Sequence, residues 1–208
     1  MVTPATLSSP QMTPDQALAL LKEGNKRFVE GNPIQSHMTG RELRTSLAHE
    51  QRPFCVLVGC SDSRVSPELL FGRGLGDLFI VRNAGNVVDL AAMGSIEYGV
   101  AVLGAPLVLV LGHERCGAVH AALNVVENDT VYPGSIGQMI EPIIPAVLRA
   151  RREGGADLLD RSVRANVHRV VERLRTTEQM LLQPQRDGKL KIIGARYDLD
   201  DGHVDFFE

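Results

Sequence analysis

Three short stretches of unbroken apolar residues constrain this chain more than anything else in it. They are Phe54-Cys55-Val56-Leu57-Val58, Leu78-Phe79-Ile80-Val81 and Leu107-Val108-Leu109-Val110-Leu111. A strand with one wet face alternates apolar and polar residues, whereas an unbroken run must be covered on both faces, as strands inside a parallel sheet are. Each run stops abruptly, at Gly59-Cys60, at Arg82-Asn83-Ala84-Gly85 and at Gly112-His113. Between and beyond them the spacing predicts helices over 89–103, 116–126, 136–151 and 158–182. The stretch 189–207 reads as a strand, a turn at Asp200-Asp201-Gly202 and a return strand. Strands alternating with helices define an α/β fold: a doubly wound, mostly parallel sheet flanked by helices, with an antiparallel C-terminal edge hairpin and an N-terminal helical arm.

The arm comes from the residues ahead of the first run. Residues 1–12 mix Thr, Ser, Pro and Ala without periodicity and read as a flexible tail. Thr13-Pro14-Asp15 then offers a helix cap with proline at the first helical position. The helix that follows runs to about Val29, carries Leu18, Leu21 and Phe28 on one side, and ends at Gly31-Asn32-Pro33. Residues 13–50 therefore form the arm, and 51–208 the α/β domain. Sequence leaves open whether the arm lies on a neighbouring subunit or on its own domain.

Composition excludes several classes. The 208 residues suit one domain, and 22 Lys plus Arg against 25 Asp plus Glu leave a net charge of −3. That balance, without a basic run, argues against a nucleic-acid partner. No apolar run reaches membrane-spanning length. The opening residues lack a basic segment followed by a long apolar core, and three cysteines are too few for a disulfide framework, so a cytoplasmic location is expected.

In open α/β sheets, functional groups gather beyond the carboxyl ends of the strands, where the strand order reverses. The first strand delivers Cys60-Ser61-Asp62-Ser63-Arg64 there, and the third delivers Gly112-His113-Glu114-Arg115-Cys116-Gly117. If those strands are neighbours, Cys60, His113 and Cys116 converge as two thiolates and one imidazole. That donor set suits a single Zn²⁺ with its fourth position left for water, the pattern of a catalytic site. Asp62 and Arg64 sit close enough to form a bidentate pair. An ionised Asp62 can then accept a hydrogen bond from hydroxide on the metal and aim its lone pair at a substrate carbon. Two thiolates weaken the metal as a Lewis acid, so its water should ionise at higher pH than at an all-histidine site.

CSDSR followed some fifty residues later by GHERCG resembles the CxDxR and HxxC zinc motifs of the beta-class carbonic anhydrases. The resemblance extends through RNAGNVV, GSIEYGV and YDLDDG. It implies a zinc enzyme that interconverts carbon dioxide and bicarbonate, with Cys60, His113 and Cys116 as ligands and Asp62 and Arg64 as the catalytic dyad. It also implies that Gln51 binds substrate and that Phe79, Ala84 and Tyr98 wall a small apolar carbon dioxide pocket. Ala84 is smaller than the Val or Ile often found at that place. The resemblance further implies a homo-oligomer, dimer or tetramer, with the arm reaching across, and an Asp62 able to rotate onto the metal at lower pH. Some bacterial members carry a Trp, where Leu57 stands here, in a regulatory bicarbonate pocket. This chain has no Trp, so that mode of regulation is not expected.

Two other functions use the same features. One is hydrolysis of carbon disulfide or carbonyl sulfide on the same zinc fold. The other is a catalytically silent protein that binds zinc and bicarbonate, which would have no need of an oriented nucleophile and so none of the Asp62–Arg64 pair. The remaining candidates read as structural. Cys55 is a small buried hydrophobe. His120 sits on a solvated helix face, its alternative being a proton relay, and His37, His49, His168 and His203 have no partners in sequence. Gly72-Arg73-Gly74-Leu75-Gly76 precedes a strand and so meets no helix N-terminus, as a dinucleotide loop must. The arginines of 149–152 and 169–175 read as solvated helix faces.

Overall fold

The computed structural model describes residues 12–32, 40–176 and 179–207. Its centre is a five-stranded sheet: β1 (Cys55–Cys60), β2 (Leu78–Asn83), β3 (Leu107–His113), β4 (Lys191–Tyr197) and β5 (Val204–Phe207). The spatial order is β2-β1-β3-β4-β5, parallel except for the antiparallel β4–β5 pair at one edge. The expected α/β class, with its edge hairpin, is the fold observed. Every residue of β1 and β3 is buried, which is why their sequences run apolar without alternation.

Strand parity sorts the side chains into two layers. Val56, Val58, Val108, Val110 and Ile192 face helices α4 (Leu90–Ala101), α8 (Leu158–Thr176) and α9 (Gln179–Arg186). Cys55, Leu57, Leu107, Leu109, Leu111 and Ile193 face the other way, onto Leu18 and Leu21 of α1 (Pro14–Val29) and onto Phe71 after the short helix α3 (Pro67–Leu70). A third cluster, built on α5 (Gly117–Asn128) and α7 (Ile144–Glu153), closes around Cys60 and Cys116.

The first helix of the arm thus packs against its own chain. Thr13 and Gln16 form a reciprocal capping box at its start. Gly24 is required where it crosses the end of α3, because a Cβ there would stand 1.8 Å from the Phe71 carbonyl oxygen. Asn25, buried, donates to the Gly202 carbonyl and accepts from the Val204 N–H, tying the helix to the edge hairpin. The arm's second helix, α2 (Arg41–Ser46), has no buried residue. The flexible tail, Pro33 and His37 lie outside the described residues, apart from Met12.

The strand ends and one helix differ from expectation. Each parallel strand runs two residues beyond its apolar run, so Cys60, Asn83 and His113 are the last strand residues. His113 pairs with Tyr197 in register although it is polar, because ladder bonding does not depend on side-chain polarity. The helix expected over 136–151 is α6 (Ser135–Ile140), one tight turn at Glu141–Ile143, and α7. Pro142 and Pro145 lack the N–H that would continue the ladder, and each stands in the first turn of a new segment. The helix expected over 158–182 is described as α8 and α9, with residues 177–178 outside the described residues. Nor are all the arginines of 169–175 solvated. Arg173 donates to the Val88 carbonyl at 2.7 Å and Arg175 to that of Ile192 at 2.8 Å, so they fasten α8 to the sheet and its loops.

Candidate metal centre

The strand order reverses between β1 and β3, and the expected ligands meet there. Cys60 ends β1, His113 ends β3, and Cys116 is the cap residue of α5. Their ligating atoms lie within 4.8 Å of one another, with the two sulfurs 4.0 Å apart. All three residues are buried, His113 completely. The His113 ring fixes its own tautomer. Nδ1 is 2.9 Å from the Glu114 carbonyl oxygen, which can only accept, so Nδ1 carries the proton and Nε2 the lone pair. That Nε2 is buried without a hydrogen-bond partner among the described residues. A buried, unpaired imidazole nitrogen beside two thiols is costly unless a cation takes the lone pair, so these residues fit a zinc ion.

The thiols are already biased. Cys60 and Cys116 share an S–H···S contact at 4.0 Å, and the Gly85 N–H lies 3.3 Å from the Cys60 sulfur. The contact with Cys116 above all lowers the Cys60 thiol from its ordinary range, although burial opposes it. The same contact, with burial, pushes Cys116 up.

Asp62 stands on the loop that follows β1. Its Oδ2 is 3.9 Å from His113 Nε2, so the carboxylate faces the metal group. Arg64 grips it from the other side, Nε to Oδ1 at 2.9 Å and Nη2 to Oδ2 at 2.8 Å, and the Arg64 N–H adds a third bond at 2.9 Å. Those bonds from Arg64 hold the Asp62 carboxyl well below the usual carboxylate range. The expected pair is present as geometry.

The expected pocket residues are divided. Ala84 follows β2 directly and precedes Gly85, whose N–H lies 3.3 Å from the Cys60 sulfur, so it stands at the same end of the sheet as the Cys-His-Cys group. Gln51, Phe79 and Tyr98 do not. Phe79 pairs with Val56 near the start of β1 and packs on Tyr98, ring centroids 6.1 Å apart. Tyr98 and Gln51 line an open cleft of about 1070 Å³ below the strand starts, with Leu75, Leu103 and Leu190. At ~3.3 Å per residue, that end of β1 is about 16 Å from Cys60. Within one chain these three residues stand at the far end of the sheet from the thiols.

Sequence reasoning missed three residues that shape the centre. Arg82 donates to the carbonyls of Cys60, Asp62 and Val65 at 2.8–2.9 Å, pinning the loop that carries Asp62. Gly85, with φ +75°, offers its N–H to Cys60, and its carbonyl accepts from the buried Asn166 side chain at 3.0 Å. Arg82 and Gly85 lie in the RNAGN segment, where an arginine closing an apolar strand is a sign that acceptors wait for it. Asn166 gives no local signal. The structural readings fare well: Cys55 is fully buried, and His49, His120, His168 and His203 are exposed. No helix among the described residues is long and apolar enough to cross a membrane.

A three-layer α/β fold with a buried Cys-His-Cys group at the switch point of its sheet is the arrangement of the beta-carbonic anhydrase class. Comparison with known proteins agrees: residues 55–204 match the family described as "Carbonic anhydrase", and the chain belongs to it. "Carbonic anhydrase 2" of Mycobacterium tuberculosis is 44% identical over 195 residues, 94% of this chain and 93% of that protein. "Carbonic anhydrase" of Mycolicibacterium smegmatis is 42% identical over 196 residues, 94% of each. Among solved structures, a tetrameric beta-carbonic anhydrase of the ascomycete Sordaria macrospora superposes with a TM-score of 0.72 at 26% identity, covering 80% of this chain and 86% of its own. The chain is thus a beta-class carbonic anhydrase, an enzyme of the carbonate dehydratase type, and its Cys-His-Cys group is compatible with zinc.

Proposed function

We propose that this protein catalyses the reversible hydration of carbon dioxide to bicarbonate and a proton, with Asp62 and Arg64 orienting the nucleophile at a zinc centre. The observation that carries the reading is the unpaired Nε2 of His113, set between two thiols and 3.9 Å from the Asp62 carboxylate. Zinc held by Cys60 Sγ, Cys116 Sγ and His113 Nε2 would lower the pKa of a coordinated water toward neutrality and supply the nucleophile. Asp62, held ionised by Arg64, presents Oδ2 toward the three ligating atoms, where it would accept a hydrogen bond from the nucleophile and orient it toward the substrate carbon. Arg64 occupies both carboxylate oxygens and keeps Asp62 from collapsing onto the cation. Ala84 contributes a small apolar surface beside the ligands, suited to an uncharged linear substrate. The proton of each turnover leaves to buffer, because an acid as strong as Asp62 does not retain it.

A homo-oligomer completes the site. Gln51, Phe79 and Tyr98 stand at the wrong end of their own sheet, and Tyr98 is about half exposed beside the open cleft. A second copy docked by that end would bring them to Cys60 and His113, Gln51 binding a substrate oxygen and the two rings closing the pocket. The tetrameric state of the Sordaria relative supports a dimer or tetramer. Thiol ligands that must stay reduced suit the cytoplasm.

Removal and return of the metal tests this reading. Chelation should abolish carbon dioxide hydration, and one equivalent of zinc per chain should restore it. Hydration by the metal-free protein would overturn the proposal.

A further inference from the structure

We infer that Glu114, held by the β4–β5 hairpin, is the positioning residue of the His113 ligand; this inference rests on the zinc reading proposed above. Glu114 lies between the two ligands of one loop and is bonded on every side. Its N–H donates to the Tyr197 carbonyl at 2.9 Å, extending the β3–β4 ladder past His113. Its Oε2 accepts from the Leu199 N–H at 3.2 Å, and its Oε1 lies 3.6 Å from Arg196. Those bonds leave one group with a single aim: the Glu114 carbonyl, which takes the Nδ1 proton of His113. The hairpin therefore sets the direction of that carbonyl, and the carbonyl sets both the tautomer and the ring plane of the ligand.

Two further observations make this a clamp. Arg115, the next residue, has φ +51°, a left-handed conformation unfavourable for a side-chain-bearing residue, at the place where the chain turns from His113 toward Cys116. Its guanidinium grips Asp200 at the hairpin tip with bonds of 2.7 and 3.0 Å, so hairpin contacts oppose the strain. Arg196 is itself anchored, to Asp160 of α8 at 2.7 Å and to Asp198 at 2.5 Å, with only 12% of its side chain exposed. Glu114, Asp198 and Asp200 stand close enough to share a cation, but the Arg115 and Arg196 guanidiniums already meet all three carboxylates. The cluster therefore reads as an ion-pair clamp on the ligand loop.

The test is the rate at which the zinc-loaded protein gives up its metal to a colorimetric chelator. Glu114→Ala should release zinc about tenfold faster than wild type, the low end of what loss of a ligand's supporting contact costs. Glu114→Gln, which keeps an acceptor for Leu199, should fall between them. Asp200→Asn, altered at an exposed hairpin tip, should fold normally and also release zinc faster, with the unfolding temperature of the metal-free chain unchanged. A merely structural role would move that temperature and leave the release rate alone. Zinc release at the wild-type rate in Glu114→Ala and Asp200→Asn overturns the inference while leaving the zinc reading intact. A wild-type chain that takes up no zinc overturns both.

Discussion

At the scale of single residues, the centre is marked by a buried ligand atom left unsatisfied. Folding gives nearly every buried polar group a partner, because an unpaired one costs roughly 1–3 kcal/mol. Among the described residues His113 Nε2 is left without one, as are Asn83 Oδ1 and Asn86 Nδ2, and it alone stands at the meeting point of two sulfurs and a carboxylate. Asp62 has the opposite treatment, three bonds from Arg64 alone. Its pKa is depressed, so the charge is lost only as pH falls below the ordinary carboxylate range. The protonation of Asp62 therefore cannot shape activity between pH 6.5 and 9. Asp62→Ala should retain one zinc per chain and lose at least about 100-fold in hydration rate, the lower bound for a positioned acid–base group. Undiminished hydration by that variant, measured at full zinc occupancy, would remove Asp62 from the mechanism. These residues were legible because CxDxR and HxxC are local motifs at strand ends. Glu114 and Asn166 were not, because their roles come from partners 85 and 81 positions away.

At the scale of elements, the centre depends on the turn that follows β2. Gly85 combines φ +75° with an N–H aimed at Cys60, and a Cβ there would meet the Ile143 Cδ1 at 2.7 Å and the Ala118 Cβ at 2.9 Å. Gly85→Ala should cost about 1–3 kcal/mol from backbone conformation, before any crowding. It should also weaken zinc binding, since the turn shifts away from Cys60. Thermal unfolding with and without zinc checks both effects, and a variant as stable and as tightly loaded as wild type would contradict this role. The strands were readable because burial on both faces writes itself as unbroken apolarity. Their last two residues were not, because backbone pairing leaves no mark on side-chain chemistry. The interruption at Pro142 and Pro145 was available in sequence, yet apolar periodicity through the whole segment concealed it.

At the scale of the whole molecule, the fold separates the residues that the proposed chemistry would bring together. Metal ligands and the Asp62–Arg64 pair lie at one end of β1, while Gln51, Phe79 and Tyr98 lie at the other. Sequence order alone cannot reveal this, since nine residues from Gln51 to Cys60 say nothing about which end of a strand each occupies. On the proposed reading, one chain holds the half of the site that carries the nucleophile, and self-association would supply the rest. The most direct measurement is stopped-flow carbon dioxide hydration by the zinc-loaded protein from pH 6.5 to 9. The expected result is fast hydration that rises with pH as the nucleophile ionises. No hydration at any pH, with zinc at one equivalent per chain, would contradict the account.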